Sequence, residues 1–291
     1  MRQRRHSLIV LILGIAGCSA TIDEQAARES LQALTTQCIG KIRAGGFDLI
    51  RAGTKAGNAT SSLVAGIEGG KISADGKSVA GWTESGLVIA SPGRRAEPRH
   101  FHMDDIQLDL SRDGAVVAVV VREQMKTERE LVAFNSDGTI LRTLSATGHN
   151  PAVSPDGSQV AFEDRGHVVI AEVKSDTTTE LSGTKPSWSS DGQYISTFHL
   201  GEFVIVDVKT RASRKIRVGG EPLTPLYWST TGRAAMFVTR TNADLWSSLS
   251  CVEQYRVMVV DIPSANTFVY HVGCSSNPER LQWLPADVCG G

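Results

Sequence analysis

Residues 153–162 read V-S-P-D-G-S-Q-V-A-F: a Ser, a Pro-Asp-Gly, and then an apolar run from Val160 to Phe162. An Asp in this position hydrogen-bonds the backbone that follows it, and Gly takes the positive φ of a tight turn, so the segment reverses the chain between two strands. The unit recurs. Its Ser stands at Ser73, Ser111, Ser154, Ser189 and Ser229, in steps of 38, 43, 35 and 40 residues. Three positions later come Gly76, Gly114, Gly157, Gly192 and Gly232. They are preceded by Asp75, Asp113, Asp156 and Asp191, with Thr231 as the one deviation. Five matches at a nearly constant period are the mark of a repeat architecture.

An apolar residue precedes each Ser (Ile72, Leu110, Val153, Trp188, Trp228). After each turn come β-branched or apolar runs, such as Val116 to Val121, Tyr194 to Phe198 and Ala235 to Val238. A third run follows (Leu87 to Ala90, Leu131 to Phe134, Val168 to Val173, Phe203 to Val208, Val257 to Ile262), and then a polar turn and a fourth strand, as in Arg214 to Val218. Four strands per unit make a propeller blade. In this register S-P-D-G-x-x-V-A-F resembles the repeat of TolB-type propellers, six-bladed relatives of WD-repeat proteins, over residues 38 to 284. That resemblance implies an all-β, six-bladed β-propeller. The same blades serve bacterial envelope proteins and peptidase accessory domains, and TolB itself carries an additional N-terminal α/β domain with no counterpart in the short stretch before Ser73.

Only five units are whole. Arg280 to Leu284 places Trp283 as the apolar residue of a sixth first strand, and runs at Cys38 to Arg43, Phe47 to Arg51 and Ser61 to Ala65 would supply the rest. The N- and C-terminal strands are thus expected to close the last blade, which removes open sheet edges. Closure makes Cys38 and Cys289 neighbours and leaves Cys251 to pair with Cys274. Four cysteines allow three connectivities, and free buried thiols are the alternative.

The first residues stand apart. Arg2, Arg4, Arg5 and His6 precede the apolar run Leu8 to Ile15, too short to span a bilayer and the right length for a secretory signal. Ile15-Ala16-Gly17-Cys18 resembles the lipobox of bacterial lipoproteins. That implies removal of residues 1–17 and acylation of Cys18, with several acyl chains giving stable anchoring. Ser19, in place of Asp, resembles an outer-membrane sorting signal, with the protein facing the periplasm. Residues 18–37 are expected to form a lipidated helical tether. Within it Thr21-Ile22-Asp23-Glu24 has the form of a capping box, and Ala27, Leu31, Leu34 and Cys38 follow at helical spacing, so a helix is expected over 22–36, with an unstructured tether as the alternative. Residues 38–291 form the propeller.

Composition excludes other classes. A chain with 41% hydrophobic and 21% charged residues is neither disordered nor fibrous. Without the three arginines of residues 1–17, 27 basic residues face 31 acidic ones, a formal net charge of about −4. No basic stripe survives, which argues against a nucleic-acid partner.

In a propeller the Asp-Gly turns share one end, and the second-to-third and fourth-to-first connections share the other. His100, His102, His149, His167, His199 and His271 all map towards that second end. His100, His102, His149 and His199 are therefore the candidates for a metal at the channel mouth, as in a metal-dependent propeller lyase or hydrolase. Polar loop residues spread round a wide ring are the simpler account, since no carboxylate spacing accompanies them. The turn aspartates could be mistaken for calcium ligands, but turn chemistry accounts for them. Trp188, Trp228 and Trp283 recur at equivalent positions and read as core. The longest second-to-third connections, Glu123 to Glu130 and Arg240 to Ser250, are where a partner is expected to bind, with Glu123, Lys126, Arg129 and Trp246 as candidate contacts. G-x-S-x-G, H-E-x-x-H and phosphate-loop motifs are missing, so the expectation is a non-catalytic module without a cofactor. Its partner would be an envelope protein or a cell-wall component.

Overall fold

The computed structural model describes residues 38–43, 46–49, 67, 69–83, 86–91, 93–97, 101–102, 107–123, 129–218, 222–229, 231–240, 254–274 and 282–284. A hairpin of β1 (Cys38–Arg43) and β2 (Gly46–Leu49) precedes five sheets taken consecutively from the chain. The first holds β3 (Gly69–Ile72), β4 (Val79–Thr83), β5 (Gly86–Ser91) and β6 (Arg94–Ala96). The second holds β7 (Phe101–His102), β8 (Leu108–Leu110), β9 (Val116–Glu123), β10 (Arg129–Asn135) and β11 (Ile140–Ser145). The third holds β12 (His149–Val153), β13 (Gln159–Asp164), β14 (His167–Glu172) and β15 (Thr178–Ser182). The fourth holds β16 (Thr184–Trp188), β17 (Tyr194–His199), β18 (Glu202–Asp207) and β19 (Ser213–Arg217). The fifth holds β20 (Tyr227–Trp228), β21 (Ala234–Arg240), β22 (Gln254–Asp261) and β23 (Asn266–Cys274), and β24 (Gln282–Leu284) follows.

All pairings are antiparallel between sequence neighbours, except that β7 and β8 both pair with β9 and that β24 returns to β1. The innermost strands follow one another round a central channel: β3 lies against β8, β8 against β12, β12 against β16 and β16 against β20. β24 touches β20, and β1 touches β3. The fold is an all-β propeller with five complete blades, where the sequence reading expected six. The three strands β2, β1 and β24 form a smaller sheet, and the further strand expected over 61–65 lies outside the described residues, as does the helix expected over 22–36.

The repeated turn explains why Ser, Asp and Gly recur. Ser73, Ser111, Ser154 and Ser189 donate through Oγ to Asp75, Asp113, Asp156 and Asp191 at 2.6 to 2.8 Å. Each Asp accepts the backbone N–H two residues on, and each Ser Oγ accepts the N–H five residues on, as from Lys77 N at 3.0 Å and Ser78 N at 2.8 Å in the first turn. In the fifth turn Thr231 makes a poorer copy, with Ser229 Oγ at 3.2 Å and Arg233 N at 3.4 Å. The turns are also stitched to one another: Asp75 N donates to Arg112 O, and Arg112 N to Pro155 O.

Strand runs such as V-A-F are apolar at every position because both faces of a blade are covered. Val160 and Phe162 pack with Val120 and Leu131 of the second blade. Ala161, between them, faces the fourth blade and packs with Ile195 and Trp188.

Several surface carboxyls are held below their ordinary pKa. For Asp156, burial opposes the charge but the Ser154 and Ser158 hydrogen bonds outweigh it. For Asp137 the Thr139 hydrogen bonds lead, for Asp207 the Thr210 backbone bond, and for Glu202 the bonds from Lys215 and Arg217. A depressed carboxyl pKa stabilises the fold above the unfolded-state value and loses that contribution as pH falls through the folded-state value. The melting temperature is therefore expected to be level above about pH 5 and to fall progressively below about pH 4. Asp156→Asn should flatten that decline; calorimetry across this range checks it.

Candidate functional site

The innermost strands have one edge paired and the other facing the channel, which lets Pro stand in them without losing a ladder bond. Pro151 of β12 and Pro186 of β16 occupy such positions, Pro225 stands two residues before β20, and all three line two adjoining channel cavities. One, of about 180 Å³, lies towards the Asp-Gly turns. The other, of about 300 Å³, lies towards the opposite end.

A polar staple crosses the channel wall. Lys71 Nζ of β3 lies 3.0 Å from Asp109 Oδ1 of β8, and Asp109 Oδ2 accepts the backbone N–H of Val153 in β12 at 2.8 Å. Lys71 also sits 5.7 Å from the ring centroid of Tyr227 in the fifth blade. Burial would discharge Lys71, but the Asp109 carboxylate and Tyr227 outweigh it, so its pKa stands above the ordinary lysine value.

A second network is built around Glu163 of β13, which is 6% exposed. Its Oε1 accepts from Asn150 Nδ2 at 2.7 Å and from the backbone N–H of Lys185 at 2.8 Å. His149 Nε2 stands 3.6 Å from Oε2, and Asn150 N donates to Gln107 Oε1 at 2.6 Å. Asn150 and Lys185 are equivalent residues of adjacent blades, each just before a Pro, and both are left-handed, with φ of 50 and 52°. Each lies at a register shift between the first two strands of its blade. Non-Gly residues in this region are strained and persist only where their surroundings fix them, and the buried carboxylate does so here.

Trp188 and Trp228 are 8% and 7% exposed, as a core assignment requires. Trp188 Nε1 donates to Ala152 O at 3.1 Å and ties the fourth blade to the third, whereas the buried Nε1 of Trp228 has no hydrogen-bond partner among the described residues.

Among the described residues the histidines form no cluster. His149 is half-exposed beside Glu163, His199 is exposed at the end of β17, and the backbone of His102 is in β7 rather than a loop. His100 lies outside the described residues. Among the described residues no three His, Cys, Asp or Glu side chains come together as a metal site would need. Glu123 ends β9 and Arg129 opens β10, while Lys126, Trp246, Cys18, Cys251 and Cys289 lie outside the described residues. Lys71, Asp109, Glu163 and Lys185 were not singled out from the sequence. The signal available was the repeated Pro three or four residues before the Ser, in Asn150-Pro151, Lys185-Pro186 and Thr224-Pro225.

No family model matches the chain, and no curated protein sequence matches it. Solved structures do. The ring of antiparallel blades of four or five strands, with its channel, defines a β-propeller. The TolB group supplies neighbours: a putative TolB from Agrobacterium tumefaciens superposes with a TM-score of 0.56 at 16% identity, over 85% of this chain and 96% of that one. TolB from Acinetobacter baumannii gives 0.59 at 14% identity, over 86% of this chain and 66% of that one. These likenesses make the fold a TolB-like β-propeller.

Proposed function

We propose that the protein is a lipid-anchored, non-catalytic binding module of the bacterial cell envelope that holds an envelope protein or a cell-wall component. Residues 1–17 are the signal, Cys18 carries the lipid at the outer membrane, and β2, β1 and β24 are three strands of a sixth blade. One observation carries the binding mode: the two ends of the propeller differ in what they leave free. At the Asp-Gly end the Ser and Asp side chains are consumed within the turns. At the opposite end the β17–β18 hairpin presents Leu200, 87% exposed and at φ 50°, where a bulky side chain is costly. Together with the connections at Glu123 to Arg129 and around Trp246, Leu200 forms the contact surface. A large apolar anchor on a rigid hairpin is what a binding hot spot requires.

In-cell cross-linking followed by mass spectrometry tests this reading. Leu200→Asp and Trp246→Ala should each reduce the cross-linked partner at least about tenfold without lowering the melting temperature. Cys18→Ser should move the protein from the membrane to the soluble fraction. Undiminished cross-linking in both surface variants would overturn the assignment of this end.

The backbone register supports the expected disulfides. Cys38 is opposite Leu284, five residues before Cys289, and Cys274 is opposite Gln254, three residues after Cys251. Peptide mapping without reduction should give Cys38–Cys289 and Cys251–Cys274; a Cys38–Cys274 peptide would contradict both.

A further inference from the structure

We propose that the larger channel cavity, between Lys71 and Lys185, is a binding site for a small organic carboxylate. This goes beyond contact through the outer loops and does not depend on it.

Charge comes first. Among the described residues lining the 300 Å³ cavity, the charged ones are Lys71 and Lys185. The chain as a whole is net −1, so a locally positive wall is not inherited from the overall balance. A cleft lined by one sign of charge concentrates the opposite ion. Lys71 is neutralised by Asp109 at 3.0 Å, whereas Lys185 forms no ion pair among the described residues. Lys185 is thus the lining cation without a carboxylate partner for its ammonium among the described residues, the Glu163 carboxylate behind it being engaged by backbone and amide N–H groups, and a single ammonium matches a singly charged carboxylate better than a phosphate dianion. Two lysines rather than arginines present point charges, not the planar fork that favours bidentate phosphate.

The rest of the wall fits the body of such a ligand. Trp82, Tyr227 and the three prolines supply apolar surface. Gln107 and Asn150 each spend one end of their amide in the Glu163 network, which leaves Gln107 Nε2 as a donor and Asn150 Oδ1 as an acceptor. A volume of about 300 Å³ accommodates a sugar acid or the end of a short peptide.

Finally, the wall is built and held. Lys185 and Asn150 are both left-handed, and the buried Glu163 fixes both through one oxygen. Strain held in place by a buried carboxylate is a positioning device, and the residues it positions include the unpaired cation.

The test is titration calorimetry on the mature protein with four probes. Glucuronate and N-acetyl-alanyl-alanine represent the two sources of a carboxylate; glucose and the C-terminal amide of the same dipeptide are their neutral counterparts, and inorganic phosphate is a fifth arm. Saturable 1:1 binding of either carboxylate, with its neutral counterpart silent, is the expected result, and the carboxylate that binds identifies the source. Lys185→Asn removes the charge while keeping a residue that tolerates the left-handed backbone, and should weaken binding about tenfold or more. Lys77→Asn, on an exposed turn, should leave it unchanged. Glu163→Gln keeps the side chain's size and should weaken binding without abolishing the fold, checked by its melting curve. Failure of both carboxylates at millimolar concentration, tighter binding of phosphate than of either, or undiminished binding in Lys185→Asn would overturn the proposal.

Discussion

Gly114→Ala is expected to cost the fold about 3 kcal/mol, against about 1 kcal/mol for Gly166→Ala. Both glycines are left-handed, with φ of 70 and 85°, so alanine meets the same backbone penalty of roughly 1–2 kcal/mol at each site. They differ in what surrounds them. A Cβ at Gly166 would have nothing within 4 Å, whereas one at Gly114 would stand 2.3 Å from Ser78 Cβ and 2.6 Å from Ser78 Oγ. Ser78 cannot step aside easily: its N–H is held by Ser73 Oγ at 2.8 Å and its Oγ donates to Asp113 O at 3.2 Å. The collision is therefore between two blades, and it adds roughly 1–3 kcal/mol of overpacking. Gly157, whose Cβ would meet Val116 at 2.9 Å, should fall between the two. Urea denaturation of the three variants ranks them. Equal losses at Gly114 and Gly166 would mean that the turn glycines serve backbone geometry alone.

The second large effect is expected at the joint between the fourth and fifth blades. Phe203 of β18 is fully buried, and its ring stands edge-on to Phe198 at 5.5 Å and to Phe237 of β21 at 5.2 Å. Around them lie Ile216, Leu226 and Trp228. Phe203→Ala removes the centre of this cluster and should cost about 3–5 kcal/mol, since strands paired on both sides cannot collapse into the space. The contact between the two rings is separable from burial. A cycle of Phe203→Leu and Phe237→Leu should show a coupling of about 0.5–1.5 kcal/mol, the part due to edge-to-face geometry. Additive losses would show that the rings act only as apolar volume.

These two cases mark what the sequence could reveal. The Ser-x-Asp-Gly turn was legible because its chemistry is local: Ser154, Asp156 and Gly157 bond within six residues and need no tertiary partner to be recognised. The apolar strands were legible because both faces are covered, so no polar alternation obscures them. The channel was not legible, for a reason inherent in repeats. Lys71, Asp109 and Lys185 come from three blades, each contributing a different residue from its first strand, and an alignment of blades discards such differences as noise. Sharing an end of the propeller does not by itself bring histidine side chains together, and among the described residues His149 stands beside Glu163. A sixth blade was expected to be assembled from strands of both ends of the chain, and among the described residues β1, β2 and β24 form a smaller sheet beside five complete blades.

The pairing of β1 with β24 has a kinetic consequence. Three residue pairs join them, Cys38 with Leu284, Ile39 with Trp283 and Gly40 with Gln282, across roughly 240 residues of chain. Every blade assembles from neighbours in sequence, whereas this pair must wait until the blades between them have bent the chain into a ring. Its formation is the step of highest sequence separation and the slowest in folding. Until it occurs, β1 and β24 present open edges to other chains, so the interval before closure is when the protein is most exposed to misassembly with its own copies.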